Sequence, residues 1–213
     1  MLPNGIDVSD DGKVYFTVTS NKTTFHNFTL EFLESRANGQ LYSYDINTHI
    51  TVLLLDDLYF PNGLALSNDQ SYLVFAETTA FRISKYVLSG QKKGKRLLVI
   101  KDLPGAPDNL KFNHEGLLWV ALPSWKSKLS DTLSKSTVAR TMLAKFPEWL
   151  RKNLLIERKF AGGVVINVET ESIVKFVRTN RTEELLCITT MLQKGGKIYL
   201  GSIMHKQIGI VAT

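Results

Sequence analysis

Pro3-Asn4-Gly5-Ile6, Pro61-Asn62-Gly63-Leu64 and Pro107-Asp108-Asn109-Leu110 put a Pro-Asx doublet at the head of an apolar run three times in one chain. Each run reaches a polar turn: Asp10-Asp11-Gly12-Lys13, Asn68-Asp69-Gln70-Ser71 and His114-Glu115-Gly116-Leu117. After each turn comes a second apolar run, Val14-Tyr15-Phe16, Tyr72-Leu73-Val74-Phe75 and Leu118-Trp119-Val120. One supersecondary unit therefore recurs at a period of about 45 to 60 residues, the signature of a propeller or solenoid. In a propeller the innermost strand of every blade lines one shared axis, so Asn4, Asn62 and Asp108 are expected to converge there. Oxygen-bearing side chains converging on an axis suit a hard cation such as Ca²⁺.

The rest of the chain fits the same unit. Two strand-like runs flank Asp11-Gly12, a strong hairpin signal, and Gly39–Asp45 and Ile50–Leu55 alternate as the outer strands of a first blade. A second blade runs from Phe60 through Phe81–Leu88 to Arg96–Ile100. A third opens at Pro107, and a last one runs from Cys187 through the Gly195-Gly196 turn to Val211. Two stretches break the rhythm. Ser20–Arg36 reads as a polar, aromatic-containing loop, and Asp131–Leu155 has helical spacing, with Pro147 placed to start a new turn. The expectation is an all-β chain forming one partial propeller domain over residues 1–213: about four blades of a six-bladed ring, with a helical insertion near 131–158. The insertion is either an amphipathic cover packed on the blade tops, a lid over the axis, or an interfacial anchor using Phe146, Trp149 and Leu150 beside Lys145, Arg151 and Lys152.

The 213 residues carry 44% hydrophobic content and a net charge of +6. The basic residues concentrate in Lys92-Lys93-Gly94-Lys95-Arg96, which reads as a solvated turn, and between Lys145 and Lys159. Neither cluster has interleaved aromatics or a nucleic-acid module, so no nucleic acid is expected as a partner. Cys187 is the sole cysteine, which excludes a disulfide within the chain. Three sequons, at Asn21, Asn27 and Asn180, point to the secretory lumen or cell surface as sites of N-glycosylation. No stretch is long and apolar enough to span a bilayer and no signal peptide starts at Met1, so a membrane anchor is expected upstream of this sequence.

Candidate chemistry is concentrated on the repeat. Asn4, Asn62, Asp108 and Asn109 offer amide and carboxylate oxygens from three blades, and no His or Cys spacing suits zinc. His26, His49 and His114 read as surface residues, while His205 follows the last inner strands and is placed to reach a pocket. No Gly-x-Ser-x-Gly element and no Ser-His-Asp set is present, so no catalytic residue is assigned. Glu77 reads as a structural partner of Arg82 or of a backbone turn.

Leu2–Val8, Phe60–Ser67, Phe75-Ala76-Glu77-Thr78 with Arg82-Ile83, Leu103–Asn109 and Tyr199-Leu200-Gly201-Ser202 together resemble the strictosidine synthase-like family, in particular its adipocyte plasma membrane-associated protein branch. A wider resemblance extends to the calcium-dependent paraoxonases and gluconolactonases, which are six-bladed propellers. The resemblance implies that Asn4, Asn62, Asp108 and Asn109 occupy the axial calcium positions, the remaining family ligand being a first-blade Glu outside this sequence. It implies ester or lactone hydrolysis, arylesterase-like, on a small-molecule substrate, in a membrane-associated glycoprotein of the endoplasmic reticulum or cell surface. In the plant enzymes that join an amine to an aldehyde a Glu near the last inner strand is the acid/base. Thr189 stands at that place here, so strictosidine formation is not expected. The competing expectation is a non-catalytic propeller that binds a protein partner or a membrane surface around a structural cation.

Overall fold

A computed structural model of the chain describes residues 1–22, 28–155, 162–178 and 185–212. Four antiparallel sheets follow one another along the sequence. The first blade holds β1 (Leu2–Val8), β2 (Lys13–Ser20), β3 (Gly39–Asp45) and β4 (Thr51–Leu58) in that order. The second holds β5 (Pro61–Leu66), β6 (Tyr72–Glu77), β7 (Arg82–Val87) and β8 (Arg96–Ile100). A short pair, β9 (Gly105–Ala106) with β12 (Ser124–Trp125), flanks the third blade of β10 (Leu110–Phe112), β11 (Leu118–Ala121), β13 (Gly162–Asn167) and β14 (Ser172–Arg178). The fourth shows β15 (Ile188–Lys194), β16 (Lys197–Ser202) and β17 (Gly209–Ala212). First strands of consecutive blades are neighbours, β1 beside β5, β5 beside β10 and β10 beside β15, which is the propeller arrangement expected from the repeat.

Strand side chains alternate between two faces, and in a propeller each face meets a different neighbouring blade. The core residues sort that way. Leu64, Leu66, Leu73 and Phe75 pack toward the first blade on Tyr15 and Leu41, while Ala65, Val74 and Ala76 pack toward the third on Leu118 and Val120. Trp119, Ala121 and Val165 turn the other way and meet Ile188, Met191 and Leu200 of the fourth blade. Both faces being covered explains why the second blade reads as continuous apolar runs; all six residues of β5 are buried.

Both breaks in the rhythm carry helices. The first, expected as a loop, contains α1 (Phe28–Glu34). Thr29 and Leu33, four residues apart, share the side that meets the other helices, while the buried Glu31 lies on the opposite side and accepts from Ser20 Oγ (2.5 Å). The second holds three short helices rather than one, α2 (Lys128–Lys135), α3 (Thr137–Ala144) and α4 (Glu148–Leu155), and starts a little before the expected position. Ser136 caps α3 through the Ala139 N–H, and α4 opens immediately after Pro147 as the sequence suggests.

These helices pack on one another across blades. Leu33 of α1 meets Leu133 of α2 and Leu143 of α3 in a small separate core. Thr29 Oγ1 donates to Glu148 Oε2 (2.6 Å) and accepts from Arg151 Nε (3.1 Å). Arg151, expected on a solvent-facing basic surface, is instead buried. Its guanidinium pairs with Glu148 and donates to the Ala144 and Phe146 carbonyls, closing the end of α3 onto α4.

Arg96 departs from its expected place in the same manner. Lys92, Lys93 and Lys95 are exposed in a turn, but Arg96 reaches inward to Glu77. The Glu77 carboxylate is fully buried at the end of β6. It takes both Arg82 nitrogens (2.9 and 2.8 Å), Arg96 Nη2 (2.5 Å), Ser84 Oγ (2.7 Å) and the Tyr59 N–H (3.1 Å). The structural pairing with Arg82 expected from the sequence is thus present within a larger network.

Candidate functional site

The Pro-Asx segments lie side by side because glycine lets them. A Cβ on Gly5 would stand 2.5 Å from the Asn62 carbonyl oxygen, and one on Gly63 would stand 2.5 Å from Asn109 Cα and 2.9 Å from the Asp108 carbonyl oxygen. Only glycine allows that approach of backbone to backbone. The first two doublets also sit on an irregularity: the β1–β2 register shifts between Pro3 and Ile6, and β5–β6 shifts between Pro61 and Leu64. The fourth blade repeats the device, shifting between Ile188 and Thr190, which puts Thr189 at the matching position. Bulges of this kind re-aim side chains, here at the inner end of each blade.

The side chains at these bulges are held by their nitrogens. Asn4 Nδ2 donates to Thr19 Oγ1 (3.2 Å), Asn62 Nδ2 to Thr78 Oγ1 (3.3 Å) and Asn109 Nδ2 to the Thr189 carbonyl (3.0 Å). Asn109 is fixed further by its backbone N–H on the same Thr189 carbonyl (3.1 Å). With each amide nitrogen committed, the carbonyl oxygen faces the other way. Asn62 Oδ1 is buried and has no hydrogen-bond partner, the kind of vacant acceptor that demands an explanation.

Asp108 completes the group. Burial pushes its carboxyl up to about 7, and the hydrogen bonds from the Asn62 side chain and the Asn109 backbone pull it back only in part. No cationic side chain is among the causes of its shift. A carboxyl with no cation among the groups that shift it, hydrogen-bonded to the side chain that carries the unpartnered Asn62 Oδ1, offers oxygen donors of the type a hard cation takes. Among the described residues no cluster of His, Cys, Asp or Glu forms a metal site of another kind.

Other candidates lie elsewhere. His114 and His49 are at the surface, the latter bonded to the Tyr44 hydroxyl (2.8 Å), while His205 Nε2 is buried without a hydrogen-bond partner. His26 falls outside the described residues, as do the sequon asparagines Asn27 and Asn180. Asn21 is exposed beyond the end of β2. A groove of about 400 Å³ opens between the first two blades along Tyr15, Ser43, Tyr86 and Lys93, and none of the axial Asx residues lines it. No helix among the described residues is long and apolar enough to cross a membrane.

The strictosidine synthase family model matches residues 4–91, from Asn4 to just past the third strand of the second blade. Strictosidine synthase-like 6 of Arabidopsis thaliana is 36% identical over 207 residues, 97% of this chain and 53% of that protein. The chain belongs to the strictosidine synthase-like family. Among animal relatives, the adipocyte plasma membrane-associated protein of Mus musculus is 35% identical over 147 residues, 67% of this chain and 35% of its own length. The strictosidine synthase-like chain spans about half the length of the curated plant relatives it matches.

Solved structures show the same fold at low identity. A luciferin-regenerating enzyme superposes with a TM-score of 0.61 at 15% identity, covering 94% of this chain and 53% of that one. A gluconolactonase from Xanthomonas campestris gives 0.58 at 14% identity, covering 93% and 53%. A calcium-binding regucalcin from Agrobacterium tumefaciens gives 0.58 at 14%, covering 96% and 55%.

The expectation that missed most was the support of the asparagines. Thr19 and Thr78 were not singled out, although each follows its axial Asn at nearly the same distance, 15 and 16 residues. That recurrence was the available signal.

Proposed function

We propose that this chain carries the axial calcium site of an ester- or lactone-hydrolysing propeller. The observation that supports it is the buried, unpartnered Oδ1 of Asn62, whose side chain also hydrogen-bonds the Asp108 carboxyl. Asn4, Asn62 and Asn109 would hold the ion through amide oxygens and Asp108 through its carboxylate. When bound, calcium supplies Lewis-acid polarisation of a substrate carbonyl and stabilises negative charge developing on its oxygen. The chain's own part is positional. The blade-to-blade packing at Gly5 and Gly63 sets the spacing of the donors, and burial, by raising the Asp108 carboxyl to about 7, makes a proton compete with the cation there. Thr189 has a hydroxyl that is no general base near neutral pH, so an amine–aldehyde condensation relying on a carboxylate at that position is not part of the proposal. The gluconolactonase and calcium-binding descriptions of two structural neighbours support the reading.

Phenyl acetate hydrolysis, with and without chelator, tests it on the 213-residue chain and on a version completed to six blades. The completed protein is expected to show turnover that chelator abolishes. The 213-residue chain is expected to be far slower, because calcium takes six to eight oxygens and the side chains here supply fewer. Equal, chelator-insensitive rates from both would overturn the enzyme reading in favour of a non-catalytic binding propeller.

We also propose that the helical insertion rests on a membrane surface on the lumenal or extracellular side. Val138, Met142, Phe146 and Trp149 are exposed along α3 and α4, with Trp149 65% exposed, and Lys135 and Lys145 stand exposed nearby. Apolar and aromatic side chains edged by lysine suit an anionic bilayer interface. The plasma membrane-associated description of the animal relatives supports this. Sedimentation with phosphatidylserine-containing vesicles should show binding that weakens with salt. It should fall roughly tenfold in a Phe146→Ala/Trp149→Ala double variant, given the apolar area the two rings would bury. Unchanged binding by the double variant would remove the insertion as the contact.

A further inference from the structure

We infer that Thr19 and Thr78 are positioning residues that fix which way the axial Asn4 and Asn62 amides face, through a hydroxyl relay running from each blade to the next. This rests on the calcium reading above and adds residues that reading does not contain. A threonine hydroxyl has one hydrogen to give. Thr19 Oγ1 gives its hydrogen to the Pro61 carbonyl (2.8 Å) and Thr78 Oγ1 to the Pro107 carbonyl (2.7 Å), both in buried surroundings. Toward the asparagines each hydroxyl can then only accept. The amide must present Nδ2 to it, at 3.2 Å for Asn4 and 3.3 Å for Asn62, and Oδ1 is turned away. An amide rotated by half a turn would set two acceptors against each other.

The relay repeats where it is needed and stops where it is not. In the first blade the accepting carbonyl, Pro61, immediately precedes the next axial residue, Asn62; in the second it is Pro107, immediately before Asp108. A neighbouring hydroxyl reinforces the first step: Thr17 Oγ1 donates to the Asn62 carbonyl (2.6 Å) while accepting from the Gly5 N–H (2.8 Å). In the third blade the residue after the proline is an aspartate, whose two oxygens need no such choice of orientation, and the adjacent Asn109 amide is turned by the Thr189 carbonyl (3.0 Å) rather than by a hydroxyl. The corresponding stretch, Val120-Ala121-Leu122-Pro123, has no hydroxyl. The Asp108 N–H bonds to the Ala121 carbonyl instead (3.0 Å). Each asparagine is thereby oriented by a group that also ties its blade to the next, so donor orientation and blade packing are set together.

Calcium affinity measured by isothermal titration calorimetry on the 213-residue chain tests the relay. Thr78→Val keeps the shape and removes the hydroxyl, leaving the Asn62 amide with the Asp108 carboxyl as its partner and without the acceptor that fixes Nδ2 toward Thr78; a loss of about 10- to 100-fold in affinity is expected, as for other groups that orient metal ligands. Thr78→Ser restores the hydroxyl and should bind within about threefold of the parent chain, a rescue that a general packing defect would not show. Thr78→Val binding as tightly as the parent would overturn the relay. Nuclear Overhauser contacts between the Asn62 side-chain NH₂ and the Thr78 methyl in the metal-free parent chain provide a reading that needs no variant and no ion. Those contacts present with no calcium heat would overturn the calcium reading and keep the relay; their absence would overturn the relay whatever the chain binds.

Discussion

A Glu77→Gln variant is expected to be about 3 to 5 kcal/mol less stable than the parent chain, measured by urea unfolding near neutral pH. The carboxylate is fully buried, and its two arginine partners are only 27% exposed. A neutral amide of nearly the same shape leaves the Arg82 and Arg96 guanidiniums without their counter-charge and sets an NH₂ against donors that need an acceptor. The damage extends beyond one strand, because Glu77 closes β6, Arg82 opens β7 and Arg96 opens β8, so the network ties three strands of the second blade. The Tyr59 N–H brings in the link from the first blade. The pH dependence has a definite sign. Burial pushes the Glu77 carboxyl up, but the bonds from Arg82, Ser84 and Tyr59 and the charge of Arg96 outweigh it and hold it below the usual carboxylate range. A group whose folded pKa is depressed stabilises the fold above its unfolded pKa and loses that contribution as pH falls through the folded value. The parent chain should therefore lose stability in acid more steeply than Glu77→Gln, and a loss below about 1 kcal/mol at neutral pH would show the network to be incidental.

The propeller was legible because its signal repeats: a Pro-Asx doublet, a turn and a second apolar run recur in register, and local noise in any one copy does not hide the period. The blade strands followed from it. Asn4, Asn62 and Asp108 stand out in the sequence for the same reason, since each follows the proline that heads its repeat. What was not legible depends on contacts between segments far apart in the chain. Arg96 sits in a run of basic residues and its partner lies 19 residues back, so composition assigns it to a solvated turn. Arg151 looks like part of an amphipathic basic face until Thr29, 122 residues away, supplies a partner. The α1 helix was hidden because its apolar side is short and is completed by helices of the third blade. Thr19 and Thr78 were missed because a threonine in or just after a strand is unremarkable until its hydroxyl is seen between an asparagine and the next blade's proline carbonyl.

Asp108 is expected to give the calcium-free chain a stability that falls as pH rises, the opposite of the Glu77 effect. Burial lifts its carboxyl from the ordinary 3.8 to about 7. A carboxyl whose folded pKa lies above its unfolded value binds more protons in the folded state across that interval. Stability is therefore fully present below about pH 4, declines between pH 4 and pH 7, and levels off above. A shift of this size corresponds to roughly 4 kcal/mol at most, and about 2 to 4 once the partial solvent access of the site is allowed for. The difference in unfolding free energy between the parent chain and Asp108→Asn, followed from pH 5 to 8 in chelator, isolates this group because every other titration is common to both. The parent should lose stability relative to the variant as pH rises. Added calcium reverses the order: the ion replaces the proton, so the parent's affinity should climb through pH 7, while Asp108→Asn binds more weakly and with little pH dependence. A difference curve flat in pH would mean that this carboxyl is not buried as a neutral acid, and calcium affinity equally strong in both proteins would mean that it is not a ligand. A falling curve with no calcium response would leave Asp108 as a strained buried acid whose proton has no functional replacement.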